Sequence, residues 1–246
     1  MNTAHSSFLQ PQDTLLPVWR YLSLTKFISL LSNKAFYFSR ADLLGDPHEG
    51  TIPAENAANI RTQFCDPDRP DLIVKARKMN KLFTYVSCWH LNETESEAMW
   101  RLYCPTNEGV ALQTTYAKLA QSIQTVDVYL GLVRYIDYRS QFMPLDNAFN
   151  PIMHKRKAFE HEREVRAVMW QINSIESIER DFDELECHER NPRGFNVSID
   201  LARTLDAIYV NPYAPDLYYE VVRAVMDKFS VSTSLKRSYL ADEPYH

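Results

Sequence analysis

Glycine is scarce in this chain, with five among 246 residues. Flexible glycine-rich linkers and low-complexity tracts are therefore absent, and no internal repeat is visible. Neither glycine-rich phosphate signature occurs: G-x-G-x-x-G and G-x-x-x-x-G-K-[ST] are both missing, which leaves nucleotide binding of the Rossmann or P-loop kind without support. The four cysteines, Cys65, Cys88, Cys104 and Cys187, are far apart. No pair has the short spacing of zinc or redox motifs, so free thiols of a cytoplasmic protein are expected. No apolar run approaches the roughly 20 residues that span a bilayer. The opening MNTAHSSFLQPQDT lacks the basic start and apolar stretch of a secretion signal. The expectation is a cytoplasmic protein with no membrane partner.

Positive charge is in the minority: 27 Lys and Arg face 32 Asp and Glu, for a net charge of -5. That argues against a surface that coats nucleic acid as a whole and leaves room for a local basic groove. Lys75, Arg77, Lys78 and Lys81 form one basic run, and Lys155, Arg156 and Lys157 another. The ordinary reading of such a run is a solvated face. What the chain does have is apolar and aromatic material, at 45% and 12%. This is ample for one domain spanning 1–246, with 1–14 as a loosely ordered start.

Helical and strand patterns trade places along the chain. Strands are expected at Leu16 to Leu22, 35–39 (AFYFS), LFTYVSCW, Gly109 to Thr115, the long VDVYLGLVRYI, EVRAVMWQI, FNVSI, DAIYV and VSTSL. Helices are expected behind Ser23 as N-cap, at about Pro70 to Asn80, behind a Thr94/Glu97 capping box, in YAKLAQSI and KRKAFEHE, and from Pro215. In the last helix Leu217, Val221, Val225 and Phe229 form the expected apolar face. Aromatic strands and short, irregularly spaced helices predict an α+β fold, a mixed sheet with helices packed around it.

The segment from Phe159 to Arg166, FEHEREVR, is the most informative. With pairing from Glu162 onward, Glu162, Glu164 and Arg166 share one strand face with Val168, Trp170 and Ile172. That face starts charged and becomes apolar, as at the mouth of a cleft. A carboxylate pair beside an arginine can shift proton affinities and stabilise a developing positive charge. The plainer reading is a set of salt bridges at a solvated strand end. His161-Glu162 is not a zincin motif, because Val165 stands where the second histidine would be. A Cys88/His90 nucleophile and base is disfavoured, a buried cysteine beside a strand-end histidine being the commoner arrangement. The loop SRADLLGDPHEG, from Ser39 to Gly50, packs five ionisable groups behind a strand, where binding residues often sit. Its acids also suit plain turn capping, which accounts less well for Arg40. Trp19-Arg20-Tyr21 places an arginine between two aromatics, an arrangement suited to a phosphate with a ring stacked nearby.

At these residues a resemblance appears. WRYLSLTKFISLL, FYFSRADLLGDPHEG, SCWHLNETESEAMWRLY, GVALQTT and FEHEREVRAV resemble a bacterial family of uncharacterised domains over nearly the whole chain. The order of the motifs is distantly similar to ADP-ribosyltransferases of the DarT type. That similarity implies a largely antiparallel ADP-ribosyltransferase-like sheet, with NAD as substrate. It assigns Arg20, with Tyr21 beside it, to the NAD ribose and phosphate, Thr114 or Ser87 to the nicotinamide side, and Ser39 and Arg40 to the dinucleotide. Glu164 becomes the catalytic carboxylate, with Glu162 completing an E-x-E pair. The S-T-S triplet of the superfamily is met by LQTTY and YVSCW in approximation alone. The implied acceptor is a DNA or RNA base or a protein, in a toxin-like role in bacterial conflict or phage defence with a neutralising antitoxin. Two other classes stay open. Asp46, Glu49, Glu162 and Glu164 are oxygen ligands suited to a metal-dependent nuclease, and the charged loop also suits a noncatalytic ligand- or partner-binding domain.

Overall fold

The computed structural model describes residues 5–63, 69–123, 127–171 and 191–244. Cys65, Cys187 and Ile172 lie outside them. The fold is α+β with a mixed, mostly antiparallel sheet content, as the alternating pattern predicts.

Strand β1 (Pro17–Ser23) ends at Ser23, whose side chain accepts the Lys26 N–H and starts helix α1 (Leu24–Asn33). Phe27, Leu30 and Leu31 bury its apolar stripe, and Lys34 stops it in the left-handed region at φ 47°. Strand β2 (Ala35–Arg40) follows, then a 3-10 turn over Ala41–Leu43 and helices α2 (Ala54–Gln63) and α3 (Arg69–Phe83). Strand β3 (Thr84–Leu91) is apolar or small on nearly every position and almost wholly buried, as a central strand must be. Helix α4 (Glu97–Tyr103) is capped by Ser96, not by Thr94 as the box spacing predicted, since the Ser96 side chain accepts the Met99 N–H. Strand β4 (Gly109–Thr115) and helix α5 (Tyr116–Ser122) match their expected bounds. The long β stretch divides at Val133 into β5 (Val128–Leu132) and β6 (Arg134–Ile136). Helix α6 (Asn150–Met153) leads to β7 (His154–Arg156), so the expected KRKAFEHE helix begins as a strand and continues as a 3-10 helix over Lys157–Glu162. Then come β8 (Glu164–Trp170), β9 (Gly194–Ser198), α7 (Leu201–Thr204), β10 (Ala207–Val210), α8 (Asp216–Lys228) and β11 (Ser234–Arg237).

The apolar face of α8 is shifted by one residue from the expected stripe. Tyr218, Val222 and Met226 are buried, whereas Leu217 is 74% exposed and Val221 38%. Both stripes have i, i+4 spacing, and the larger Tyr and Met side chains take the inner one.

The chain divides into two compact units. The first comprises Met1–Pro11, Phe38–Ser87 and Asp127–Phe195; the second comprises Gln12–Tyr37, Cys88–Val126 and Asn196–His246. In the second unit β1 pairs antiparallel with β4 along seven residues, β4 with β10, and β10 runs parallel to β11. Its core gathers Trp19, Tyr21, Met99, Trp100, Cys104 and Ala111, with the Tyr21 and Trp100 rings edge to face at 4.9 Å. In the first unit β5 pairs antiparallel with β8, β8 also pairs with β3, and β6 runs parallel to β7.

Candidate active site

The strand that carries the acidic motif begins two residues later than the face reading assumed. Glu162 ends the 3-10 helix, Arg163 takes the left-handed conformation at φ 40°, and β8 starts at Glu164. Glu162 therefore reaches its neighbours from a helix end, while Glu164 and Arg166 share a strand face. The solvated-end reading also fails, because Glu162, Glu164 and Arg166 are 5%, 5% and 0% exposed.

These side chains form one buried ionic network within the first unit. Arg166 grips the Glu164 carboxylate with Nε on Oε1 at 2.8 Å and Nη2 on Oε2 at 2.9 Å. Its Nη2 also meets Glu49, and its Nη1 donates to the Ile152 carbonyl at 2.5 Å. Lys155 brings an ammonium to three carboxylates: Glu162 at 2.5 Å, Glu49 at 3.2 Å and Glu164 at 3.5 Å. The backbone N–H of Glu164 donates to the Tyr135 hydroxyl at 2.8 Å. Burial raises the pKa of Glu162, and the Lys155 ammonium offsets part of that rise. Burial also acts on Lys155, in the direction of deprotonation, but its three carboxylates outweigh it and hold its pKa above the ordinary lysine value.

Lys155 was not expected here, and Glu49 was grouped with Glu162 and Glu164 as a metal ligand, not as a partner of Arg166 and Lys155. The basic run 155–157 read as a solvated face, and Glu49 as either a turn cap or a metal ligand. The usable signal was the apolar Pro151-Ile152-Met153 just before Lys155, all buried in the structure. Glu49 arrives from the 39–50 loop, which is pinned at several points. Arg40 forks onto Asp42 at 2.6 and 3.1 Å and donates to the Asn191 carbonyl at 2.5 Å. Asp46 takes both Nε and Nη2 of Arg156 at 3.1 and 2.8 Å. Gly50, at φ 71°, donates its N–H to the Pro151 carbonyl at 3.1 Å.

The four acids considered as metal ligands do not gather around an open centre. Asp46 is turned to Arg156, and Glu49, Glu162 and Glu164 converge on the Lys155 ammonium. Among the described residues no group of three or more His, Cys, Asp or Glu has an arrangement that could hold a metal ion.

The remaining expected site residues stand in their own surroundings. Ser39 is half-buried opposite Val86, and Ser87 is buried. In the second unit Tyr21 lies in the core, its hydroxyl accepting the Ser96 N–H at 2.8 Å. Thr114 is fully buried and donates its hydroxyl to the Thr204 carbonyl at 2.5 Å. Arg20 is different. Its guanidinium lies 5.9 Å from the Phe36 ring centre and 5.7 Å from that of Trp89, and Nη2 donates to the Tyr37 carbonyl at 2.9 Å. Nη1 is buried without a hydrogen-bond partner, and no carboxylate pairs with the group among the described residues. Burial lowers its pKa to about 10. A desolvated guanidinium framed by rings and lacking a counter-ion is suited to an anionic ligand.

No protein-family model and no curated protein sequence matches the chain. Among solved structures it is similar to the DarT of Thermus sp. 2.9 in complex with NAD+, at TM-score 0.39 and 11% identity, covering 95% of this chain and 99% of that one. It is also similar to the same protein in complex with ADP-ribosylated ssDNA, at TM-score 0.37 and 11% identity, covering 94% and 95%.

Proposed function

We propose that this chain is an NAD-dependent ADP-ribosyltransferase of toxin-like character, with a DNA or RNA base as its acceptor. The observation that carries the reading is the buried E-x-E pair where the 3-10 helix passes into β8, with its two carboxylates in different surroundings. Glu164 is gripped by the Arg166 fork, and Glu162 meets the Lys155 ammonium and has a raised pKa. Acid–base roles divide where environments differ in this way.

In the proposed reaction the bond between nicotinamide and ribose C1′ breaks, its electron pair leaves with the nicotinamide nitrogen, and positive charge develops on the ribose. The Glu164 carboxylate stabilises that charge, as a carboxylate does in glycoside cleavage. The acceptor attacks C1′ and its proton passes to Glu162. In the second unit Arg20, which has no carboxylate partner among the described residues, is suited to an anion such as a dinucleotide phosphate. Arg40, already held by Asp42 and Asn191, keeps the 39–50 loop in place and presents Ser39 to the ligand. The sequence motifs that resemble DarT-type enzymes support the same assignment, including the nucleic-acid acceptor and a neutralising antitoxin.

A second reading, a noncatalytic binding domain, is favoured by the full engagement of the three glutamates with Lys155 and Arg166. One experiment separates the two. The protein is incubated with NAD labelled in its adenylate phosphate, together with single-stranded DNA, RNA or cell protein in turn. The transferase reading expects label on one acceptor class, lost with E164Q. A binding domain would transfer none.

A further inference from the structure

Three N–H donors on one ammonium meet three carboxylates at Lys155, which also lies 4.8 Å from the Phe159 ring centre. Lys155 sits in β7, paired in register with Tyr135 of β6. Both members of that pair reach Glu164, Lys155 through the carboxylate and Tyr135 through the backbone N–H. The two-stranded β6–β7 ribbon is thus a separate element braced against the first residue of β8.

Stability alone does not account for this arrangement. Among the described residues the network packs three carboxylates around Lys155 and Arg166, all of them nearly closed to solvent. A buried ionic cluster is often replaced by apolar side chains without loss, so this one points to a use beyond stability. Carboxylates held in a fixed geometry are what a positive charge developing on a substrate requires.

On the transferase reading of this same site, we infer that Lys155 is a positioning residue for the reaction, its ammonium holding the Glu162 and Glu164 carboxylates in one shared geometry. It does not touch the reacting atoms; it acts through the two glutamates. Among the described residues, the charged and titratable groups around Glu162 include Lys155 from β7, Glu49 from the loop, Glu164 and Arg166 from β8, and Tyr135 from β6. Of these, Lys155 makes the closest contact with the Glu162 carboxylate. Removing it raises the pKa of Glu162 further, so the carboxylate ionises at a higher pH.

The test is the pH profile of nicotinamide release by the wild-type chain, K155R, K155M and K155M/E49Q. The double variant removes one carboxylate together with the ammonium, so the change in buried charge is smaller than in K155M, and it leaves both catalytic glutamates in place, so a profile remains readable if K155M does not fold. Loss of the ammonium is expected to move the acid limb up by about one pH unit or more, a roughly tenfold loss of rate below the limb. The KM for NAD is expected to stay within about twofold, because Lys155 contacts no substrate. K155R restores most of the rate. An active wild type whose acid limb and kcat survive in K155M and K155M/E49Q, with stability alone reduced, overturns the positioning role. No release from folded wild type overturns the transferase reading itself, and the positioning role with it.

Discussion

Arg166 and Glu164 stand two residues apart on one face of β8 and are joined by two parallel N–H to carboxylate bonds, at 2.8 and 2.9 Å. Such a fork is specific to guanidinium, since lysine offers a point charge. R166M leaves Glu164 and Glu49 buried beside an uncharged side chain and is expected to cost about 3–5 kcal/mol of stability. R166K is expected to recover less than half of that loss. Urea unfolding of the three proteins checks both statements; full recovery by lysine would show that charge alone matters.

Arg20 makes the opposite prediction. Among the described residues its desolvated guanidinium has no carboxylate partner, and its buried Nη1 has no hydrogen-bond partner. Removing an uncompensated buried cation relieves a cost, so R20M is expected to unfold at the same temperature as wild type or higher. If the group binds the dinucleotide phosphate, the same variant weakens NAD binding by about tenfold or more, the worth of one charge-assisted contact. Calorimetry on one preparation reads both, and lowered stability with unchanged binding would assign Arg20 to the fold.

Two carboxylates with shifts of opposite sign give a pH signature. For Asp46 burial works against ionisation, but the His48 N–H and Arg156 hold its pKa below the ordinary 3.8. Its folded pKa is thus the lower one, so its stabilisation is present above about 3.8 and fades as pH falls through the folded value. The stability gap between wild type and D46N should therefore narrow in acid. Glu162 is raised above the ordinary 4.5. Its contribution is complete below that value and is lost as pH rises through the folded pKa, so E162Q should gain on wild type as pH climbs. Melting temperatures across pH 3 to 8, a range of about five units around these carboxylates, decide both signs.

Gly131 pairs with Arg166 across β5 and β8. A Cβ placed on it would meet Phe8 Cα at 2.7 Å and its carbonyl carbon at 2.9 Å. The Leu9–Leu132 bridge holds that N-terminal segment on β5. Because the obstacle is backbone, G131A is expected to cost about 1–3 kcal/mol, with the denaturant midpoint as readout. A neutral result would mean that residues 5–11 leave β5 readily.

The parts of the fold that local chemistry decides were legible in the sequence. Ser23 followed by Leu24, Phe27, Ile28 and Leu31 at helical spacing specifies α1, although Leu30 and not the exposed Ile28 joins Phe27 and Leu31 in its buried face, and β4 occupies its expected span because Gly109 opens it and Thr115 caps α5. Where two local solutions compete, tertiary packing chose. Ser96 displaced Thr94 as the cap of α4 while donating its own N–H to Tyr21, and α8 turned its Tyr218 stripe inward. Helix α2, AENAANIRTQ, offers no apolar stripe to read.

The candidate site was half legible for a related reason. Glu164 and Arg166 share a face through the period of a strand, so their meeting follows from sequence. Lys155 and Glu49 come from a different strand and a loop, and no local period links them to Glu162. Charge alone suggested a solvated surface for Lys155; its burial follows from the β6–β7 ribbon, which no single segment encodes.

The central claim is that Glu164 is the carboxylate that stabilises cleavage of the nicotinamide–ribose bond. Release of nicotinamide from NAD by wild type and E164Q, each confirmed as folded by its thermal melt, tests it most directly. The account predicts release by wild type that rises with the correct acceptor and falls by about a hundredfold or more in E164Q, the scale of a lost electrostatic stabiliser. Equal release by both proteins, or none by folded wild type with any acceptor, contradicts it.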